Sequence, residues 1–172
     1  MGIIGRGDIS TAIIPKEGYT YFVTGVSNRL PVTEQACKEE HDKIYHTHST
    51  MSHGDMFVYV STLSIYYSAS EYTLHKVKTE KIIKETFDNY AIVRIGNITW
   101  GDNPNTLLNN LGFKIVNKKP YTILDQYRYI IDREEFRHWL GMIPRYGKHE
   151  MNITGKRYKV KQIVQLIKDG KL

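Results

Sequence analysis

Short apolar runs recur along the chain and alternate with longer stretches of helical periodicity. The runs are rich in β-branched and aromatic residues and are continuous rather than alternating, which is typical of strands buried on both faces of a parallel sheet. The predicted strands are residues 1–4, 19–26, 56–61, 90–95, 127–131 and 151–153. The predicted helices are residues 10–15, 33–46, 70–86, 105–111, 132–140 and 160–168.

This alternation of strands and helices predicts an α/β fold. The 172 residues are the length of one ordinary domain, and we find no internal repeat or low-complexity tract. Two local signals mark helix ends. Ser68 and Glu71 have the spacing of a reciprocal capping box before the third helix, and Gly170 is a plausible stop for the last helix.

Composition and charge limit the classes of protein to which this chain can belong. The hydrophobic content is 41%, and no apolar run is long enough to span a bilayer, so we expect no membrane partner. A single cysteine, Cys37, excludes an internal disulfide, and without an export signal we expect a cytoplasmic protein. The net charge is +6, but the basic residues are scattered, which makes nucleic acid an unlikely partner and leaves phosphates of a small ligand as an alternative.

A glycine-rich turn follows the first predicted strand. Gly5, Gly7 and Ser10 form a G-x-G-x-x-S arrangement, which would let a pyrophosphate approach the backbone at a helix N-terminus. The acidic residue expected about 20 positions later is absent. Arg29 stands near that distance, as a contact for a 2′-phosphate or as a solvated loop residue. A plain glycine-rich turn remains the alternative interpretation.

Three polar residues surround the end of the third predicted strand. Thr62 lies at its carboxyl end, where ligands bind in open parallel sheets, and Tyr72 and Lys76 lie one turn apart on the next helix. The cation of Lys76 would favour the phenolate of Tyr72, so that Tyr72 could exchange a proton with a substrate oxygen. The alternative is a surface Tyr and Lys, with Lys76 paired to Glu80 at i+4.

The segments "VYVSTLSIYY", "YTLHK" and "YAIVRIGNITWG" resemble the extended short-chain dehydrogenase/reductase family, the NAD-dependent epimerases and dehydratases that act largely on nucleotide sugars. The resemblance implies a Rossmann-like parallel sheet flanked by helices and a nucleotide-sugar substrate. It makes Thr62, Tyr72 and Lys76 catalytic, and Asn97 and Arg128 substrate-binding. The implied contacts for NAD or NADP are Gly5, Gly7, Asp8, Ile9, Thr24, Gly25, Tyr72 and Lys76.

The chain is much shorter than typical members of that family. The segment "YFVTGVSNR" resembles the strand beside the nicotinamide ribose, so one strand–helix–strand portion on the adenosine side is expected to be missing. We predict a single compact domain, with residues 1–101 as the dinucleotide-binding core and residues 102–172 as a small C-terminal substrate-side region. The family analogy also implies a homodimer. A noncatalytic nucleotide-binding or regulatory protein with the same fold is the alternative.

A histidine-rich stretch covers the end of the second predicted helix and the loop after it. His41, His46, His48 and His53 have spacings at which imidazoles can bind zinc. No cysteine pair accompanies them, and a solvated helix end and loop is the preferred interpretation. We therefore predict no metal site.

Overall fold

The computed structural model describes residues 2–27 and 31–172. Met1, in the first predicted strand, and Arg29, the candidate contact for a 2′-phosphate, lie outside these residues. The strands are β1 Gly2–Ile4, β2 Tyr19–Phe22, β3 Met56–Thr62, β4 Tyr90–Ile95, β5 Asn97–Ile98, β6 Tyr127–Ile131, β7 Lys148–Ile153 and β8 Lys156–Lys159. The helices are α1 Glu34–Thr50, α2 Glu71–Thr86, α3 Leu107–Val116, α4 Arg133–Gly141 and α5 Val160–Lys168.

The main sheet has the strand order β1-β2-β3-β4-β7, and each neighbouring pair is parallel. Every residue of β2 and β4 is buried, as is all of β3 except Thr62 at its end. Both faces of these strands are therefore covered, which explains why their sequences read as continuous apolar runs.

Helices cover both faces of the main sheet. Because successive side chains of a strand point to opposite faces, Phe57 packs with Ile44 of α1 and Ile83 of α2, whereas Val58 packs on the other face with Phe136 of α4. Burial of these apolar side chains on two opposite faces holds the layers together. The Rossmann-like parallel sheet flanked by helices is thus confirmed.

A second, smaller sheet has the order β5-β6-β8, with β6 antiparallel to β8. Its core brings Ile130 of β6 against Leu108 and Leu111 of α3 and Ile163 of α5. Within residues 102–172, β7 nevertheless joins the main sheet. The predicted division at residue 101 stays a prediction.

Several predicted helices, strands and helix caps differ in detail from those of the structure. The first predicted helix is only a single 3-10 turn, Ser10–Ala12, and β5 and β8 were not predicted. Ser70, not Ser68, caps α2, because the Ser70 side chain accepts a hydrogen bond from the backbone N–H of Thr73. The stop at Gly170 agrees with its φ of +66°, just beyond the end of α5.

The helices of the described part of the chain lack the combination of length and apolar character that crossing a bilayer requires.

Candidate functional site

An open crevice of about 1190 Å³ lies at the carboxyl edge of the main sheet. Its floor and walls come from the segments that follow β1, β2, β3 and β4, because the carboxyl ends of parallel strands meet at one edge. The predicted site residues that line it are Gly7, Asp8, Ile9, Thr24, Gly25, Thr62, Tyr72, Lys76, Asn97 and Arg128. The sequence-derived residues therefore converge on one cavity, while Gly5 lies outside its lining.

The two glycines of the first turn have different functions in the fold. Gly5 has a φ of +136°, and a Cβ there would lie 2.8 Å from the carbonyl oxygen of Val23, so this position requires glycine. A Cβ at Gly7 would meet open space. The helix predicted after this turn is instead a three-residue 3-10 turn, which is too short to align many peptide dipoles.

Asp8 fixes the turn to the opposite wall of the crevice. Its carboxylate accepts a hydrogen bond from the backbone N–H of Asn103, and its carbonyl accepts one from the indole of Trp100. The structure places the Asp8 side chain on the loop after β5. Any contact of Asp8 with a cofactor stays a prediction.

Thr62 and Tyr72 lie next to each other in the crevice. The Thr62 hydroxyl accepts a hydrogen bond from Ser64 and so begins the 3-10 turn Leu63–Tyr66. Burial raises the pKa of Tyr72 to about 12, while a hydrogen bond with the Thr62 side chain acts in the opposite direction. The phenol is therefore neutral near pH 7, and an effect of Lys76 on the Tyr72 pKa stays a prediction.

The Lys76 ammonium is buried and has partners on two other elements. It donates to the Glu40 carboxylate of α1 at 2.9 Å and to the Tyr59 hydroxyl of β3 at 2.9 Å. It also lies 5.8 Å from the centre of the Tyr72 ring. The alternative of an exposed lysine paired with Glu80 is wrong, because Lys76 is buried and its acidic partner is Glu40.

Glu40 joins the turn after β2 to α2. One carboxylate oxygen accepts from Tyr59 and Lys76, and the other accepts from the backbone N–H of Val26 at 2.6 Å and from His75 at 3.0 Å. Burial alone would raise the pKa of Glu40, but the hydrogen bond from His75 and the charge of Lys76 outweigh it and lower that pKa to about 2. Glu40 is a carboxylate throughout the neutral range.

Sequence reasoning missed Glu40, Tyr59 and His75. A signal for Glu40 was present in the helical period, because residues four and seven places later, Ile44 and Thr47, lie on the same buried face of α1. A glutamate on a buried face needs a cationic partner. The sequence did not identify which lysine that would be.

The far wall of the crevice carries arginine and amide groups. Arg128 lies with its guanidinium 5.7 Å from the ring centre of Tyr67, and Asn97 donates to the carbonyl of Tyr129. Arg157, which was not predicted, lies 3.8 Å from the ring centre of Tyr127. Both arginines line the crevice, so this wall presents positive charge next to aromatic faces.

A second ionic cluster lies on the same face of the sheet, beside β4, and is buried at Arg94 and Glu80. Arg94 of β4 donates to Glu80 of α2 and to Glu150 of β7, and its other nitrogen donates to the Tyr66 hydroxyl. Ser61 donates to Glu80 at 2.7 Å. Because Tyr66 belongs to the turn that Thr62 begins, this cluster supports the position of Thr62.

Metal binding finds no support in the described histidines. His41 contacts Thr79 and stacks with His75 at 5.0 Å, whereas His48 packs edge-on against Phe87. Within residues 2–27 and 31–172, we find no group of three or more His, Cys, Asp or Glu side chains arranged to hold an ion.

The fold is similar to that of solved enzyme structures that include two 4-epimerases. The enzyme WbmG of Bordetella bronchiseptica, in complex with NAD and UDP, has a TM-score of 0.71 at 11% identity, over 90% of this chain and 56% of that one. UDP-glucuronic acid 4-epimerase of Bacillus cereus, in complex with UDP-glucuronic acid and NAD, has a TM-score of 0.71 at 16% identity, over 88% and 59%. UDP-glucose 4-epimerase of Thermotoga maritima, with UDP-glucose, has a TM-score of 0.67 at 14% identity, over 90% and 61%.

No family model and no curated protein matches the sequence. The chain spans 56–61% of the length of these three structures, so the fold is shortened. At this level of identity the similarity establishes the fold alone. The chain has the Rossmann-like fold of the NAD-dependent nucleotide-sugar epimerases, as its resemblance to the extended short-chain dehydrogenase/reductases predicted.

Proposed function

We propose that the protein binds NAD(H) or NADP(H) together with a nucleotide sugar, and that it reduces, dehydrates or epimerises a sugar carbon. The observation that supports this function is the convergence of Thr62, Tyr72 and Lys76 beside the glycine turn, in one crevice at the carboxyl edge of a parallel sheet. The similar solved structures carry NAD and UDP-containing ligands in the same fold.

The cofactor would lie along the segments after β1, β2 and β3. The crevice exceeds the ~300–1,000 Å³ of ordinary small-molecule pockets, and the open space at Gly7 leaves room for a phosphate at the turn. Thr24, which is half-buried, and Gly25, which is exposed, line the same cavity. On the adenosine side the sheet of the described residues ends at β1, so we expect weaker cofactor binding than a complete dinucleotide site gives.

The side chains divide the proton chemistry between them. A bound nicotinamide would supply hydride exchange at carbon. Tyr72, neutral near pH 7, donates a proton to the substrate oxygen or recovers it, and Thr62 hydrogen-bonds the same oxygen to orient it. Lys76, held by Glu40 and Tyr59, places a fixed positive charge near the phenol and favours developing negative charge on its oxygen.

The arginine wall would hold the diphosphate of the substrate. Guanidinium groups bind phosphate oxygens through paired hydrogen bonds, and Arg128 and Arg157 both face the crevice. Asn97, between β4 and these arginines, would then contact the sugar. A nucleotide sugar satisfies both requirements, because it carries a diphosphate next to a sugar ring.

Calorimetric titration with NAD, NADH, NADP and NADPH tests cofactor binding first. Binding should be lost in Gly7→Asp, because the added carboxylate enters the crevice at the turn and repels the pyrophosphate. Gly141→Asp is the matched control, since it adds the same group at another position with open space, outside the crevice. A native protein that binds none of the four dinucleotides contradicts the proposal.

Once a substrate has been found among nucleotide sugars, Tyr72→Phe tests the chemistry. Loss of the phenol should lower kcat by at least ~100-fold, because a positioned acid/base group contributes about that much. The affinity for the cofactor should change much less. Undiminished turnover in this variant would remove Tyr72 from the mechanism.

A noncatalytic nucleotide-binding protein is the second candidate. It is favoured by the buried Glu40–Lys76 pair, which occupies the lysine with an internal partner, and by the ending of the described sheet at β1. It predicts nucleotide binding in the crevice without hydride transfer for any nucleotide sugar tested. Formation of a reduced or oxidised nicotinamide with one of these substrates would exclude it.

We further propose a homodimer that forms through α2. Leu74 and Val77 are exposed apolar residues on the outer face of this helix. A second copy that packs on this face would remove both side chains from water.

A further inference from the structure

In the proposed function Glu40 only holds Lys76, although its side chain is completely buried between the turn after β2 and α2. A buried carboxylate is costly unless it is paired and hydrogen-bonded. The negative charge of Glu40 must therefore be compensated by neighbouring donors and cations. The identity of these neighbours indicates the role of Glu40 in the site.

Four donors meet the two oxygens of Glu40. Tyr59 at 2.8 Å and Lys76 at 2.9 Å share one oxygen, and the backbone of Val26 and the ring of His75 share the other. A carboxylate offers about four acceptor positions, so this set satisfies it. With all of its positions occupied, Glu40 has a single orientation and holds the Lys76 ammonium in place.

Glu40 also lies directly under the turn that follows β2. A Cβ built on Gly25 would lie 2.2 Å from the carboxyl carbon of Glu40, and the φ of Gly25 is +120°. Any residue other than glycine would displace the carboxylate. The turn beside the cofactor and the lysine on α2 are thus fixed by one side chain.

The negative charge of Glu40 therefore reduces the electrostatic effect of Lys76 on Tyr72. The ammonium lies 5.8 Å from the Tyr72 ring, within the range in which a lone cation stabilises a phenolate. The adjacent carboxylate opposes that effect and raises the pKa of Tyr72 together with burial. The titratable groups that face Tyr72 are Lys76 on α2, Glu40 on α1, Tyr59 on β3 and Tyr67 after the 3-10 turn.

We propose that Glu40 is a positioning residue for the Tyr72–Lys76 pair: it fixes the lysine under the Gly25 turn, balances its charge, and so keeps Tyr72 in the neutral, proton-donating form. The description of Tyr72 as an acid in catalysis rests on the proposed function. The coupling among the three side chains does not, because it depends only on their contacts.

The coupling is tested by NMR titration of protein labelled at tyrosine Cζ, between about pH 7 and about pH 11. The Tyr72→Phe variant assigns the signal of Tyr72. In the native protein this signal should not titrate in that range. In Glu40→Gln, which leaves the ammonium uncompensated, the Tyr72 midpoint should move down by at least about 1 pH unit and enter the range.

Glu39→Gln is the matched control, because it makes the same change one residue earlier, where the side chain is exposed and accepts a hydrogen bond from Gln35 of the same helix. It should leave the Tyr72 signal unchanged. The double variant Glu40→Gln with Lys76→Met removes both charges and should return the Tyr72 midpoint above the range. A folded Glu40→Gln protein whose Tyr72 signal does not move overturns the proposal.

If Glu40→Gln does not fold, the double variant decides the question. Removal of both charges should then restore a folded protein, whereas a double variant that stays unfolded overturns the charge balance. The titration needs neither cofactor nor substrate. A failure of this proposal is therefore distinct from a failure of the proposed function, which calorimetry with the four dinucleotides tests.

Discussion

Replacement of Lys76 by Met should destabilise the fold in a way that depends on pH. The change removes the ammonium that neutralises Glu40, whose side chain is completely buried. Breaking one half of a buried ion pair costs about 3–5 kcal/mol. We therefore expect Lys76→Met to lose about 3 kcal/mol of unfolding free energy near neutral pH.

The pKa of Glu40 gives a second measure of this magnitude. The folded protein lowers it from the ordinary 4.5 to about 2. At about 1.4 kcal/mol per pH unit, this difference corresponds to about 3 kcal/mol of stabilisation of the ionised form. The value from the lowered pKa of Glu40 and the value from buried ion pairs agree in size.

The sign of the pH dependence follows from the same values. A carboxyl group whose pKa is lower in the folded state contributes its full stability above the unfolded value, near pH 4.5, and loses it as the pH falls toward about 2. Burial raises the pKa of Glu40, and without Lys76 this effect is less well opposed. Glu40 therefore takes up its proton at a higher pH. The difference in stability between the native protein and Lys76→Met should therefore be largest near neutral pH and should shrink in acid.

Urea unfolding, monitored by tryptophan fluorescence at about pH 7 and about pH 4, measures the two differences. Lys78→Met is the matched control, because Lys78 is exposed on the same helix. Its effect should stay within ~0.5 kcal/mol. A loss below ~1 kcal/mol for Lys76→Met at neutral pH, or an equal loss at both pH values, would refute this account of the Glu40–Lys76 pair.

Three further outcomes follow from the structure. Gly5→Ala should cost at least ~1 kcal/mol in urea unfolding, since Gly5 has a positive φ and no space for a Cβ, while Gly7→Ala should stay within ~0.5 kcal/mol; equal effects would contradict the difference between the two glycines. Arg94→Leu should lower the unfolding free energy by about 3 kcal/mol, because it leaves the buried Glu80 carboxylate without its cation, and a neutral result would contradict the importance of this pair. Leu74→Glu should shift the protein from dimer to monomer in sedimentation velocity, and a native protein that sediments as a monomer would remove the proposed α2 interface.

Most of the secondary structure was predictable because its signals are local. The apolar runs of β2, β3 and β4 are continuous, and the structure buries them on both faces of a parallel sheet. β5 and β8 were not predicted. β5 has only two residues, and β8, with the sequence KRYK, is mostly exposed, so neither has a hydrophobic pattern.

The candidate site was predictable only in part. The spacing of Tyr72 and Lys76 on one helix face, and the position of Thr62 at the end of a buried strand, led to residues that line one crevice. The balance of the Lys76 charge by Glu40 was not predicted, because the sequence interpretation assumed a lysine without an internal acidic partner on another element. Sequence reasoning assigned Gly5 and Gly7 the same role in the approach of a pyrophosphate. In the structure, Gly5 is instead required by its close approach to Val23, and this contact cannot be seen in the sequence.

The sequence by itself determined the order of strands and helices, the α/β class and the residues offered to the crevice, because hydrophobic periodicity and helical spacing act over a few residues. Only the tertiary structure decided the partner of Lys76. Glu40 lies 36 residues earlier in the chain, and the two side chains meet because α1 and α2 pack side by side on the same face of the sheet. The charge state of a buried pair depends on distances between elements, and these distances arise only when the whole core packs.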